Sequence, residues 1–125
     1  MYQVSVTRSF VAQHVLTVPE PGPEGERHSH HYTVTVAFEG DELDAHGYLV
    51  DIDVLTEALE HTVDSLGDRF LNDLRAFEGK NPSVERLASV VADRLLGRCR
   101  PPTASRIRVT VDEDDVATVS YERPI

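Results

Sequence analysis

From His28 to Glu39 the chain alternates between apolar and polar positions, a period of two that restricts this segment to a strand with one buried face. Tyr32, Val34, Val36 and Phe38 hold one parity, and Thr33, Thr35, Ala37 and Glu39 hold the other. Carried back towards the N-terminus, the apolar parity runs through His30 and His28. An earlier segment behaves alike: Tyr2, Val4, Val6, Phe10, Ala12 and His14 share a face, provided no bulge shifts the register. The pattern predicts strands over 2–13 and 31–39, with three imidazoles on the apolar side. Three neutral ring nitrogens can hold one zinc ion and leave a fourth position open for chemistry. The plainer alternative is three polar residues near a strand end.

The rest of the chain supplies two helices and two more strands. Residues 17–27, rich in Pro, Gly and Glu, cannot continue the first strand, because proline has no N–H to give to a ladder. This loop runs directly into His28. Asp51 or Asp53 is suited to cap a helix over about 52–66, in which Ile52, Leu55, Leu59, Val63 and Leu66 recur at helical spacing. Phe70 to Leu74 reads as a turn or brief helix. Asn81-Pro82-Ser83 opens a second helix, with proline pre-set for its first turn and an apolar stripe from Val84 to Leu95. Residues 105–112 and 115–122 alternate again, and Glu113 falls on the parity of Ile107, Val109 and Val111. The order β-β-α-α-β-β predicts an α+β domain spanning 1–125. A four-stranded antiparallel sheet would carry both helices on one face. Its other face would expose apolar side chains and both edges would be unpaired, an arrangement that invites self-association.

Composition narrows the function. A formal net charge of -10 argues against nucleic acid, whose binding needs clustered positive charge. No segment approaches the roughly 20 apolar residues needed to span a bilayer, so no membrane role is expected. No basic stretch precedes an apolar run, so a signal peptide is not expected. The lone Cys99 cannot form an internal disulfide and suits a reducing cytoplasm.

In their order along the chain, six pieces resemble the 6-pyruvoyltetrahydropterin synthase / 6-carboxytetrahydropterin synthase family. They are F-V-A-Q-H from Phe10 to His14, H-S-H-H-Y from His28 to Tyr32 and G-Y-L-V-D from Gly47 to Asp51. F-L-N-D from Phe70 to Asp73, N-P-S-V-E from Asn81 to Glu85, and V-D-E from Val111 followed by Tyr121 complete the set. The resemblance implies a tunnelling fold (T-fold), in which subunits join edge to edge into rings and two rings stack, a homohexamer being favoured. It implies zinc held by His14, His28 and His30, a pterin ring anchored by Glu113, and an Asn81-to-Ser83 segment whose Ser83 serves a substrate pocket, which can be a neighbour's. The substrate implied is a 7,8-dihydropterin such as dihydroneopterin triphosphate.

The chain also departs from this family. Where its synthases carry a cysteine four residues before the first zinc histidine of the second strand, this chain has Glu24. Where they carry an Asp-His pair, it has Gly67-Asp68. Family members with glutamate at the cysteine position are associated with cleaving the side chain to leave a 6-hydroxymethyl group. The expectation is therefore a lyase with Glu24 as base and Asp68 as a second proton carrier. The competing expectation is a relative that binds zinc and a pterin or purine without turning it over. A cupin-like metal barrel is disfavoured by the two helices and the shortage of strands.

Overall fold

The computed structural model describes residues 1–125. Strands β1 (Tyr2–His14) and β2 (His28–Gly40) come first and helices α1 (Ile52–Asp64) and α2 (Val84–Leu96) follow. Strands β3 (Arg106–Glu113) and β4 (Ala117–Pro124) close the chain. The sheet runs in the order β1-β2-β3-β4, with every neighbouring pair antiparallel. Pairing of β1 with β2 is unbroken from Tyr2 opposite Gly40 to His14 opposite His28, so no bulge disturbs the parity. The second strand starts at His28, three residues before its expected start at 31. Ser and His are weak strand formers, and pairing with β1 holds them where propensity does not.

Asp51, not Asp53, caps α1: its Oδ1 accepts from the N–H groups of Asp53 and Val54 at 2.9 and 3.4 Å. The buried face of α1 is Leu55, Ala58, Leu59 and Thr62. Ile52, counted in the apolar stripe, is 57% exposed. Ser83 caps α2, with Oγ accepting from the Arg86 N–H at 3.2 Å. Pro82 consequently lies just outside the helix and not within its first turn. The Phe70–Leu74 region forms two short 3-10 turns, Leu71–Asp73 and Arg75–Phe77.

Helix α1 lies over β1, and α2 over β3 and β4. Together with the even-numbered residues of β1 and β2 and the odd-numbered residues of β3, they enclose a core of 25 buried residues. Each fully buried Leu there contributes on the order of 1.5–3 kcal/mol. No helix is long and apolar enough to cross a membrane.

The face opposite the helices corrects one expectation. Apart from Val11 and Ala37 its strand residues are mostly polar, with Thr7 meeting Thr35 at 2.9 Å and Thr110 meeting Ser120 at 3.4 Å. Arg108 spans Glu122 at 2.8 Å and Glu39 at 3.2 Å. The face carries no apolar surface that would force association, so the pressure to self-associate comes from the edges. Val11 C=O and Gln13 N–H point away from β2 and are met by Asp68 N–H at 2.6 Å and Arg69 C=O at 2.9 Å. By the same alternation, the outward groups of Gln3, Ser5 and Ser9 have no such cover, while Thr7 C=O accepts from the Arg8 guanidinium at 2.8 Å. Ile125 N–H turns inward to Ser105 C=O, which leaves Thr118, Ser120 and Glu122 facing out from β4.

Candidate metal centre

The straight β1–β2 register delivers the histidines to one place. His14 and His28 are direct partners, and His30 sits opposite Ala12, two residues further along the same face. Ring centroids lie 4.6 Å apart for His14–His28, 5.0 Å for His14–His30 and 4.8 Å for His28–His30. One ligand nitrogen from each ring lies within 4.8 Å of the other two. The rings of Phe10 and Tyr32 continue the same face towards the core, 5.3 Å apart.

Each Nδ1 is already engaged. That of His14 contacts the Pro82 carbonyl at 3.0 Å, that of His28 the Glu26 carbonyl at 2.7 Å, and that of His30 Asp114 Oδ2 at 2.7 Å. Carbonyl and carboxylate oxygens only accept, so each Nδ1 carries the hydrogen. The neutral rings then present bare Nε2 lone pairs. These three Nε2 atoms are the buried side-chain polar atoms that no hydrogen bond satisfies. Leaving three acceptors orphaned is costly unless something binds them. Burial lowers the His14 pKa, against the opposing effect of its Pro82 hydrogen bond, and favours the neutral ligand form. The donor set fits zinc, which accepts three imidazole nitrogens and retains an open position.

The chain following β1 is stapled in place by two asparagines, Asn72 of F-L-N-D and Asn81 of N-P-S-V-E, in a role their local sequence does not mark. Asn72 accepts from Val15 N–H at 2.9 Å and donates to Val15 C=O at 3.0 Å. Asn81 accepts from Thr17 N–H at 2.8 Å. An amide side chain carries both donor and acceptor, so it can satisfy an unpaired strand end as another strand would. F-L-N-D and N-P-S-V-E thus act on the site from below, by fixing the backbone next to His14.

Two of the proposed site carboxylates reach the open side of the histidines. Glu24 lies in a 3-10 turn (Gly22–Gly25), and its main-chain carbonyl accepts from Leu16 N–H at 2.9 Å, which anchors the loop. Gly25 is required there, since a Cβ would lie 2.6 Å from the Pro21 ring. Glu24 Oε1 stands 3.9 Å from Nε2 of both His28 and His30. From β3, Glu113 brings Oε2 to 3.8 Å from His30 Nε2. Burial pushes the Glu113 carboxyl up, while nearby His30 pulls it back.

Asp68 and Ser83 are placed differently. Asp68 is exposed beyond the end of α1 with φ 57°, a left-handed turn that Asp tolerates better than most residues. The carboxylates within 4 Å of the three histidines are Glu24, Glu113 and Asp114, so Asp68 is not brought to its own chain's site. Ser83 has its Oγ committed to capping α2. What its segment delivers to the histidines is the Pro82 carbonyl.

A family model described as 6-pyruvoyl tetrahydropterin synthase matches residues 3–124. The chain belongs to the 6-pyruvoyl tetrahydropterin synthase family. No curated protein sequence matches it. Among solved structures, the Caenorhabditis elegans 6-pyruvoyl tetrahydropterin synthase superposes with a TM-score of 0.84 at 21% identity, covering 98% of this chain and 95% of that one. A Plasmodium vivax 6-pyruvoyltetrahydropterin synthase, in a variant with alanine for a catalytic-residue glutamate, gives 0.81 at 18% identity over 99% and 98%. The Plasmodium falciparum 6-pyruvoyl tetrahydropterin synthase gives the same values. At such identities the fold is what these structures share with this one, the tunnelling fold. This 6-pyruvoyl tetrahydropterin synthase relative therefore keeps the family's architecture around a three-histidine cluster.

Proposed function

We propose that this family member is a zinc-dependent lyase acting on the side chain of a 7,8-dihydropterin such as dihydroneopterin triphosphate. The observation that carries the reading is the convergence of three buried Nε2 atoms without partners beside two carboxylates. His14, His28 and His30 would hold the zinc, which when bound supplies Lewis-acid polarisation of side-chain oxygens. Glu113 anchors the ring, because a carboxylate accepts two parallel hydrogen bonds from an amino group and an adjacent N–H.

Glu24 acts as the base. With neither cysteine nor histidine in the family's proton-carrying positions, a route needing one proton carrier is favoured over a route needing two. Cleavage of the side chain's C–C bond is such a route. Glu24 takes the proton from the hydroxyl on the departing carbon, and that carbon leaves as an aldehyde. The bonding electrons stay on the carbon attached to the ring, which receives the proton back, giving a 6-hydroxymethyl product. Support for a glutamate in this role comes from the Plasmodium vivax protein, in which a glutamate is a catalytic residue. Elimination of triphosphate to a 6-pyruvoyl or 6-carboxy product is the alternative within the same fold. The test is product analysis with the zinc-loaded protein on dihydroneopterin triphosphate. A 6-hydroxymethyl product is expected, and a protein inert on every dihydropterin would leave the non-catalytic reading. The isolation of Asp68 from the histidines favours that second reading.

Glu113→Gln preserves shape but turns a donor towards the ring's N–H groups. The mismatch costs about 1–3 kcal/mol, roughly ten- to a hundredfold in affinity. Equal pterin affinity of parent and variant, measured by calorimetry, would place the anchor elsewhere.

The outer edge of β4 and the uncovered N-terminal part of the β1 edge support a ring assembly, with a hexamer of 13.9 kDa chains expected in the reducing cytoplasm that a lone cysteine suits. Light scattering that finds a stable monomer at micromolar concentration would overturn this.

A further inference from the structure

Main-chain carbonyls hold two of the three histidines, Pro82 for His14 and Glu26 for His28, and no side-chain replacement deletes those acceptors. His30 is the exception, held by a carboxylate side chain. Asp114 reaches it through an unusual local structure. Its backbone takes a left-handed φ of 51°, directly after Glu113 and at the end of β3. Its Oδ1 accepts from His31 N–H at 2.9 Å, its own N–H donates to His31 C=O at 2.7 Å, and Oδ2 is left for His30 Nδ1 at 2.7 Å. Both carboxylate oxygens are therefore committed, one to the backbone of β2 and the other to the imidazole. This turn also presents Glu113, whose Oε2 stands 3.8 Å from the same imidazole.

We propose that Asp114 is a positioning residue that fixes the tautomer and orientation of His30 and thereby sets the metal affinity of the cluster. The proposal rests on reading the three histidines as a metal centre. A carboxylate behind a ligating imidazole raises its basicity, and loss of such a partner costs about 10- to 100-fold in metal affinity. Asparagine cannot replace it. An amide offers one acceptor and one donor where two acceptors are needed. Its NH2 faces either His31 N–H, a donor against a donor, or His30 Nδ1, which would move the ring hydrogen onto Nε2 and block that lone pair.

The test compares Asp114→Asn, Asp114→Gly and the control Asp112→Asn for zinc affinity by competition with a chromophoric chelator. Glycine accepts a positive φ without strain, so Asp114→Gly removes the carboxylate and leaves the turn intact. The control removes the same charge from the opposite face, where Asp112 accepts from Thr118 at 2.6 Å. Both Asp114 variants should bind zinc about 10- to 100-fold more weakly, with the parent's melting temperature nearly kept by Asp114→Gly. Their cobalt(II)-loaded forms should show a shifted visible spectrum, and the control should match the parent in both readouts. Parental zinc affinity in both Asp114 variants would overturn the proposal and leave the metal-centre reading standing. A parent that takes up no zinc would overturn both.

Discussion

Glu24→Gln should keep its zinc, bind pterin as the parent does, and lose at least about a hundredfold in turnover, the usual weight of a general base. The amide keeps the length and shape of the side chain but cannot accept a proton at neutral pH. The loop should hold, because its anchor uses the Glu24 main chain, with Leu16 N–H on the Glu24 carbonyl at 2.9 Å. A loss confined to kcat thus separates chemistry from folding and binding. Its neighbours in the acidic loop provide the contrast: Glu20 has no polar partner, and Glu26 acts through its carbonyl on His28. Substituting the Glu20 side chain should leave turnover nearly unchanged. If Glu24→Gln turns over like the parent while Asp68→Asn is inactive, the base has been assigned to the wrong residue. A proton carrier donated by a neighbouring subunit would then be indicated.

His28→Ala and His30→Ala should each strip most of the metal, as read by elemental analysis after dialysis, since two imidazole nitrogens seldom retain zinc. Turnover should fall with metal content. These two positions are chosen because His14 is only 2% exposed, and its truncation would also open a cavity. None of the three histidines belongs to the 25-residue hydrophobic core, so the two variants should fold. Melting temperatures near the apo-parent's, together with absent metal, would assign the effect to ligation. Full metal retention in both variants would remove the basis for a three-histidine centre.

Local pattern in the sequence carried most of the architecture, for a physical reason. Alternation is set by the strand's own geometry, so the parity of Tyr32 to Phe38 extends through His30 and His28 without knowledge of any partner. Helix caps are equally local: Asp51 and Ser83 act on N–H groups two or three residues away. The polar face was legible too, in Thr7, Thr35, Thr110 and Ser120, although counting elements suggested an apolar one.

Tertiary structure decided what stands behind His14 and His30. Pro82 and Glu26 act through main-chain carbonyls, which every residue type possesses, so no side-chain pattern marks them. Asn72 and Asn81 reach Val15 and Thr17 across 57 and 64 residues, distances over which periodicity carries no information. Asp114 lay inside an acidic run that reads as solvated, and a left-handed turn singled it out by aiming its carboxylate at His30. Asp68 shows the converse: alignment placed it among proton carriers, and the turn after α1 carries it to the outer edge of β1. The sequence determined which side chains could bind a cation on one sheet face. His28 takes its acceptor from Glu26, two residues away. For His14 and His30 the packing of distant segments determined which nitrogen the imidazole presents, because a tautomer depends on the acceptor brought to the far side of the ring.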